Sequence, residues 1–167
     1  MSGQITKMSL ENLKTLVMEA LTYKALEEQG KWSLEDAKWL YEMMPTIRGY
    51  CGRIEQIMHD IGSFRSQMKI KIRDVEFDIQ QAEDVYVEAH TLQLTSKGLS
   101  WEERASYRRG VSFEARKVLR DYENNLEIAD LFYTTVERRY RAMMQAKQDI
   151  QTSLKLLQVG SILGDVH

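Results

Sequence analysis

One proline, one cysteine and nine glycines in 167 residues leave this chain nearly without helix breakers or covalent staples. Proline removes a backbone donor and glycine costs about 1 kcal/mol in a helix interior, so their scarcity permits very long helices. The lone Cys51 excludes an internal disulfide and gives no reason to expect an oxidising compartment. No stretch approaches the roughly 18 apolar residues of a membrane span. The N-terminal MSGQITKMSLENLK lacks the apolar core of a signal peptide.

Net charge is scarce too: 23 Lys and Arg stand against 25 Asp and Glu, leaving −2. No global basic field draws such a molecule to nucleic acid or anionic lipid, so any such contact must come from a local patch or from assembly of many copies. With 43% hydrophobic and 29% charged residues, the chain is too charged for a membrane protein and too apolar for a disordered one. The expectation is a cytoplasmic protein forming a single helical domain over 1–167.

Catalytic patterns are missing as well. No phosphate-binding glycine loop and no nucleophile elbow occurs. His59, His90 and His167 have neither each other nor Cys51 at metal-ligand spacing. Cys51 has no histidine at helical spacing to activate it and reads as a small buried side chain. Glu83 and Asp84 are adjacent and point to different helix faces. The reading is no enzyme, no metal, no cofactor and no small-molecule substrate.

What the sequence has in quantity is helical periodicity. Ser9 is placed to cap a first helix carrying Leu10, Leu13, Val17 and Ala20, expected to stop near Gly30. Ser33 with Glu35 and Asp36 starts a second, short helix through Leu40 and Met44, ended by Pro45. From Ile54 a long helix runs through Met58, Ile61, Met68, Ile72, Val75, Ile79, Ala82 and Tyr86 in steps of four and three, with Arg65 as the polar intruder. Ser100 and Glu103 form a capping-box pattern, and Gly110 bends the chain soon after. A last long helix carries Leu119, Tyr122, Leu126, Ala129, Tyr133, Val136, Tyr140, Met143, Ile150, Leu154 and Leu157, broken only by Lys147. The tail from Gly160 reads as loose.

The expected fold is therefore all-α: two shorter N-terminal helices at about 9–44 packed on a long antiparallel, coiled-coil-like helical hairpin at about 46–158. Charge tests the register. Residues 65–73 hold Arg65, Lys69, Lys71 and Arg73 and no acid, and 74–88 hold only acids. On the other arm, 108–120 are basic apart from Glu114, and 121–130 are acidic. Folding about residue 97 brings each block opposite one of contrary sign; a pivot near 102 does not. The seam continues through Ile150, Leu154 and Leu157 past the expected end of the partner arm, which predicts a homo-oligomer.

Two basic sets are candidates for binding nucleic-acid phosphates: Lys69, Lys71 and Arg73, and Arg138, Arg139 and Arg141 with Lys147 and Lys155 nearby. The competing expectation pairs the first set with Asp121, Glu123 and Glu127 across the hairpin. Trp32, Trp39 and Trp101 are expected to be buried; an exposed one would mark a partner surface.

Lys71-Ile72-Arg73-Asp74 followed by Glu76-Phe77-Asp78, then Ala115-Arg116-Lys117-Val118-Leu119, then Arg138-Arg139-Tyr140-Arg141 through Lys147 and Ile150, together resemble the UvsY-type recombination mediators of T-even-like phages over roughly residues 70–160. That resemblance implies a helical accessory protein that assembles into a ring-like oligomer. It would bind single-stranded DNA, displace a single-strand-binding protein and load a recombinase. The same heptads equally fit a coiled-coil interaction protein without nucleic-acid binding: an assembly factor, a phage structural component or a protein inhibitor. Exposure of the basic residues discriminates the two.

Overall fold

The computed structural model describes residues 8–23, 36–96 and 98–164, the side chains of 92–96 and 160–164 excepted. Among these residues the protein is all-helical, with a long helix pair that packs together. The elements are α1 (Leu10–Thr22), α2 (Asp36–Ser96), α3 (Trp101–Val111) and α4 (Phe113–Gly164). They fall into two compact units, one of residues 1–62 and 131–167, the other of 63–130.

In the first unit, the Ser9 hydroxyl accepts from the Asn12 amide and starts α1, which buries Leu13, Val17 and Ala20. The helix ends at Thr22, ahead of Gly30, because Tyr23 leaves helical geometry at φ −71°, ψ 111°. Tertiary contacts hold it there. Its ring stacks on Tyr50 at 4.6 Å, its hydroxyl donates to Glu19 at 2.6 Å, and its carbonyl accepts from Arg139. Gly30, Trp32 and Ser33 lie outside the described residues.

Pro45 does not end a helix; α2 runs straight through it. The local rule is outweighed by burial. Leu40, Ile47, Ile54, Ile61 and Met68 recur every seven residues and none is more than 4% exposed. Burying one such side chain is worth about 1.5–3 kcal/mol, so one turn of seam offsets the roughly 3 kcal/mol that an interior proline costs. The second column of this helix also differs from expectation. Ile57 and Phe64 are buried where the pattern suggested Met58 and Arg65. Periodicity alone could not choose between neighbours one residue apart.

On α4, Ala129, Val136, Met143 and Ile150 form a matching column at seven-residue spacing, each buried. Ala146 is buried next to the half-buried Lys147, so the seam is not interrupted there. Gly160 does not end the helix, which extends to Gly164. A single glycine costs too little to stop it. Ile150 is only 2% exposed within the chain itself. The partner arm reaches it because α2 begins at Asp36, not after Pro45, and Leu154 and Leu157 are half-buried. The argument for an oligomer from an uncovered seam at 150–157 therefore lapses.

In the second unit, α2 terminates at Ser96, followed by Gly98 at φ +62°, a left-handed conformation that glycine adopts without strain. The expected capping box is present: the Ser100 hydroxyl accepts from the Glu103 amide, and the Glu103 carboxylate accepts from the Ser100 amide at 2.8 Å. The chain breaks at Ser112, two residues past Gly110. Contacts along α4 run in reverse order to those along α2. Arg65 pairs with Asp130, the Lys71 ammonium stands 5.2 Å from the centre of the Tyr122 ring, and Glu83 meets Ser112 and Arg116. The core here is thin. Phe64, Met68, Ile79 and Ala129 are buried, and Leu119, Tyr122 and Leu126 are only half-buried.

Candidate functional site

The first basic set lies in the second unit. Lys69, Lys71 and Arg73 are all exposed. Lys69 and Arg73, four residues apart, share one face, while Lys71 flanks the inward line of Met68 and Ile72 on the other side. Among the described residues none of the three is ion-paired with Asp121, Glu123 or Glu127; the cross-helix pairs are Arg65–Asp130 and Arg116–Glu83, and Arg73 lies 4.0 Å from Asp74. The inward turn of Met68 and Ile72 carries Lys69 and Arg73 away from the opposite helix, while Lys71 stands over the Tyr122 ring of that helix rather than beside its acids.

The second set lies in the first unit and is divided. Arg138 is exposed. Arg141 is held by Glu137 at 2.7 Å, one turn back on its own helix. Arg139 is turned inward, donating to the Tyr23 carbonyl, with its Nε buried and unpartnered among the described residues. It therefore anchors the end of α1 and is removed from the set of free cations. Tyr133 and Tyr140 are half-buried on the seam side, and Val136 and Met143 are fully buried.

An ion pair of the first unit joins α1 to α2. Arg53 donates to both Glu19 oxygens at 2.7 and 2.8 Å, a bidentate geometry. These bonds, with that from Tyr23, lower the Glu19 pKa from the usual 4.5 to about 2. A depressed carboxyl adds stability that is present above about pH 4.5 and lost as pH falls towards 2. Both side chains are a third or more exposed, so we expect about 0.5–1 kcal/mol from this pair. Glu19→Gln should flatten the acid limb of the melting temperature across that window; an unchanged limb would assign it to other carboxylates.

A groove of about 350 Å³ lies between α2 and α4 in the same unit, lined by Tyr41, Met44, Pro45, Arg48, Gln151, Leu154 and Lys155. Its lining contains two cations and no acid. Pro45 has no N–H to give the Tyr41 carbonyl. Cys51 is buried close by and burial pushes its thiol pKa up, which disfavours a nucleophilic thiolate. Among the described residues no group of three or more His, Cys, Asp or Glu is placed to hold a metal.

Two features escaped sequence reasoning. Ser112, a serine in a charged stretch, is 1% exposed and ties the second unit together. Its hydroxyl donates to Glu83 at 2.6 Å and accepts from Arg116 Nε at 2.9 Å; the Ser112 bond, and after it one from Arg116 Nη2 at 2.7 Å, lower the Glu83 pKa. The other is α3, which buries none of its residues and leaves Trp101 80% exposed and Tyr107 54% exposed. Trp39 is also partly open. Alternating aromatic and arginine residues at 101–109 were the available signal. No protein-family model matches the chain, and neither a curated protein nor a solved structure matches it. No helix among the described residues is long and apolar enough to cross a membrane.

Proposed function

We propose that this chain is a non-enzymatic helical accessory protein that binds single-stranded DNA through exposed cations and works in recombination or replication alongside protein partners. The observation that carries the reading is the exposure of Lys69, Lys71 and Arg73, which are not spent on the acids of the opposite helix. Arg138 adds a further exposed cation; Arg139 is committed within the fold, and the exposed Arg141 is paired with Glu137 on its own helix. The chain is nearly neutral, so affinity must come from repetition, and we propose a homo-oligomer whose copies multiply a weak basic strip. Recombinase loading and displacement of a single-strand-binding protein belong to this proposal through the UvsY-type resemblance.

The two long helices are read as an antiparallel, coiled-coil-like hairpin. The reversed order of Arg65–Asp130, Lys71–Tyr122 and Glu83–Ser112 supports that reading, as does the seven-residue spacing of buried side chains. A second reading, a helical interaction protein without nucleic acid, draws on exposed Ile70, Phe77 and Val85 beside a thin core.

Fluorescence anisotropy with a labelled single-stranded oligonucleotide at about 50 and 200 mM salt tests the choice, with molecular mass measured in parallel. Binding by an oligomer that weakens steeply with salt is expected. Absence of binding at the lower salt would leave the interaction reading.

A further inference from the structure

An 11-residue helix that buries none of its side chains contributes nothing to a core, yet α3 carries the most exposed large hydrophobic residue among those described, Trp101. Leaving an indole in water wastes one of the largest apolar surfaces a side chain has. The capping box and the glycine turn before it fix where α3 starts, so this exposure is built in.

Around Trp101 the helix places cations. Arg104 and Arg108, three and seven residues on, share its face, Arg104 exposed but donating from Nε and Nη2 to the Leu99 carbonyl, and Tyr107 stands on the adjoining side. Over residues 101–120 there are six cations and three glutamates, Arg116 and Lys117 being paired with Glu83 and Glu114. Glu103 is folded into the capping box, and Glu114 is paired with Lys117 at 3.0 Å. A helix that docks into a protein groove lays down apolar anchors at i, i+3, i+4 and i+7. Here arginines occupy the third and seventh positions after Trp101.

We infer that the exposed face of α3, built from Trp101, Arg104, Tyr107 and Arg108, is a stacking site for unpaired bases of a single-stranded nucleic acid. Open aromatic rings beside phosphate-seeking cations are what a single strand requires, because its bases present free π-faces. A duplex keeps those faces stacked and offers Trp101 nothing. This inference rests on the single-strand reading above and adds a site that reading does not contain. Lys69, Lys71 and Arg73 can neutralise phosphate charge but cannot stack.

The test is anisotropy of the full-length protein with a fluorescein-labelled oligothymidylate, comparing parent, Trp101→Ala, Trp101→Phe and Arg108→Ala. Trp101→Ala is expected to weaken binding about ten-fold, and Trp101→Phe, which keeps a ring, to restore most of it. Arg108→Ala should lower the slope of log affinity against log salt by about 0.7, one phosphate contact on a single strand. Because Trp101 is exposed, its substitution leaves helix content and melting temperature in place. A parent that binds while Trp101→Ala binds equally well overturns the stacking site and spares the proposed function. A parent that does not bind at low salt overturns both. A Trp101→Ala protein whose mass changes while its DNA affinity holds overturns the site in favour of a protein contact.

Discussion

Val136→Asp is expected to abolish the cooperative melting transition of the full chain, whereas Leu126→Asp leaves a folded protein that melts earlier. The two seam positions look equivalent in the heptad pattern, but Val136 is fully buried and Leu126 is half-exposed. An aspartate at 136 has Met143 and Ala129 one heptad away on its own buried column. An unpaired carboxylate there costs several kcal/mol, a large share of the roughly 5–15 kcal/mol that keeps a domain folded. At 126 the carboxylate can turn towards water, and the loss is that of part of a leucine, about 1–2 kcal/mol. Thermal melts followed by helical signal decide the matter. Equal effects at the two positions would mean that the second unit has a deeper core than its burial indicates.

Pro45→Ala should move stability the other way. Pro45 lies well inside α2, lacks the N–H that the Tyr41 carbonyl would use, and is itself exposed, so trimming its ring opens no cavity. Restoring a helical residue recovers up to about 3 kcal/mol. The replacement also frees the unfolded chain, which takes back about 0.4–1 kcal/mol. The net expectation is a gain of about 2 kcal/mol in denaturant unfolding. A loss would show that the proline ring's fixed geometry is required for packing Leu40 and Met44. A gain would identify a tolerated local cost beside the groove of Arg48 and Lys155, the kind of cost retained where a surface has work to do.

Local chemistry was legible in the sequence and long-range competition was not. Ser9 and the Ser100–Glu103 box are read correctly because a cap involves residues three apart. The all-helical class follows from periodicity and the scarcity of breakers. Pro45 misleads because the seam from Leu40 to Met68 overrides a single unfavourable residue. Thr22 ends α1 early because Tyr23 is captured by Tyr50, Glu19 and Arg139, partners 4 to 116 residues distant. Charge blocks anticipate Arg65–Asp130 and Glu83–Arg116, where side chains flank the packed line. They do not anticipate the fate of Lys69 or Arg73, which depends on helix rotation that block composition does not encode. Arg139 illustrates the same limit, since nothing in Arg138-Arg139-Tyr140-Arg141 singles out the one that turns inward.

The isolation of α3 has a kinetic consequence. With no buried side chain to hold it, its helical state rests on backbone bonds, one capping box and arginine contacts to Leu99 and Ala105. A helix this short is marginal by itself in water. Its amides should therefore exchange with deuterium orders of magnitude sooner than those flanking Ile54 or Val136, through openings that leave Ser112 and Glu83 joined. The turn end of the second unit can thus unwind and rewind while the remainder of that unit stays closed.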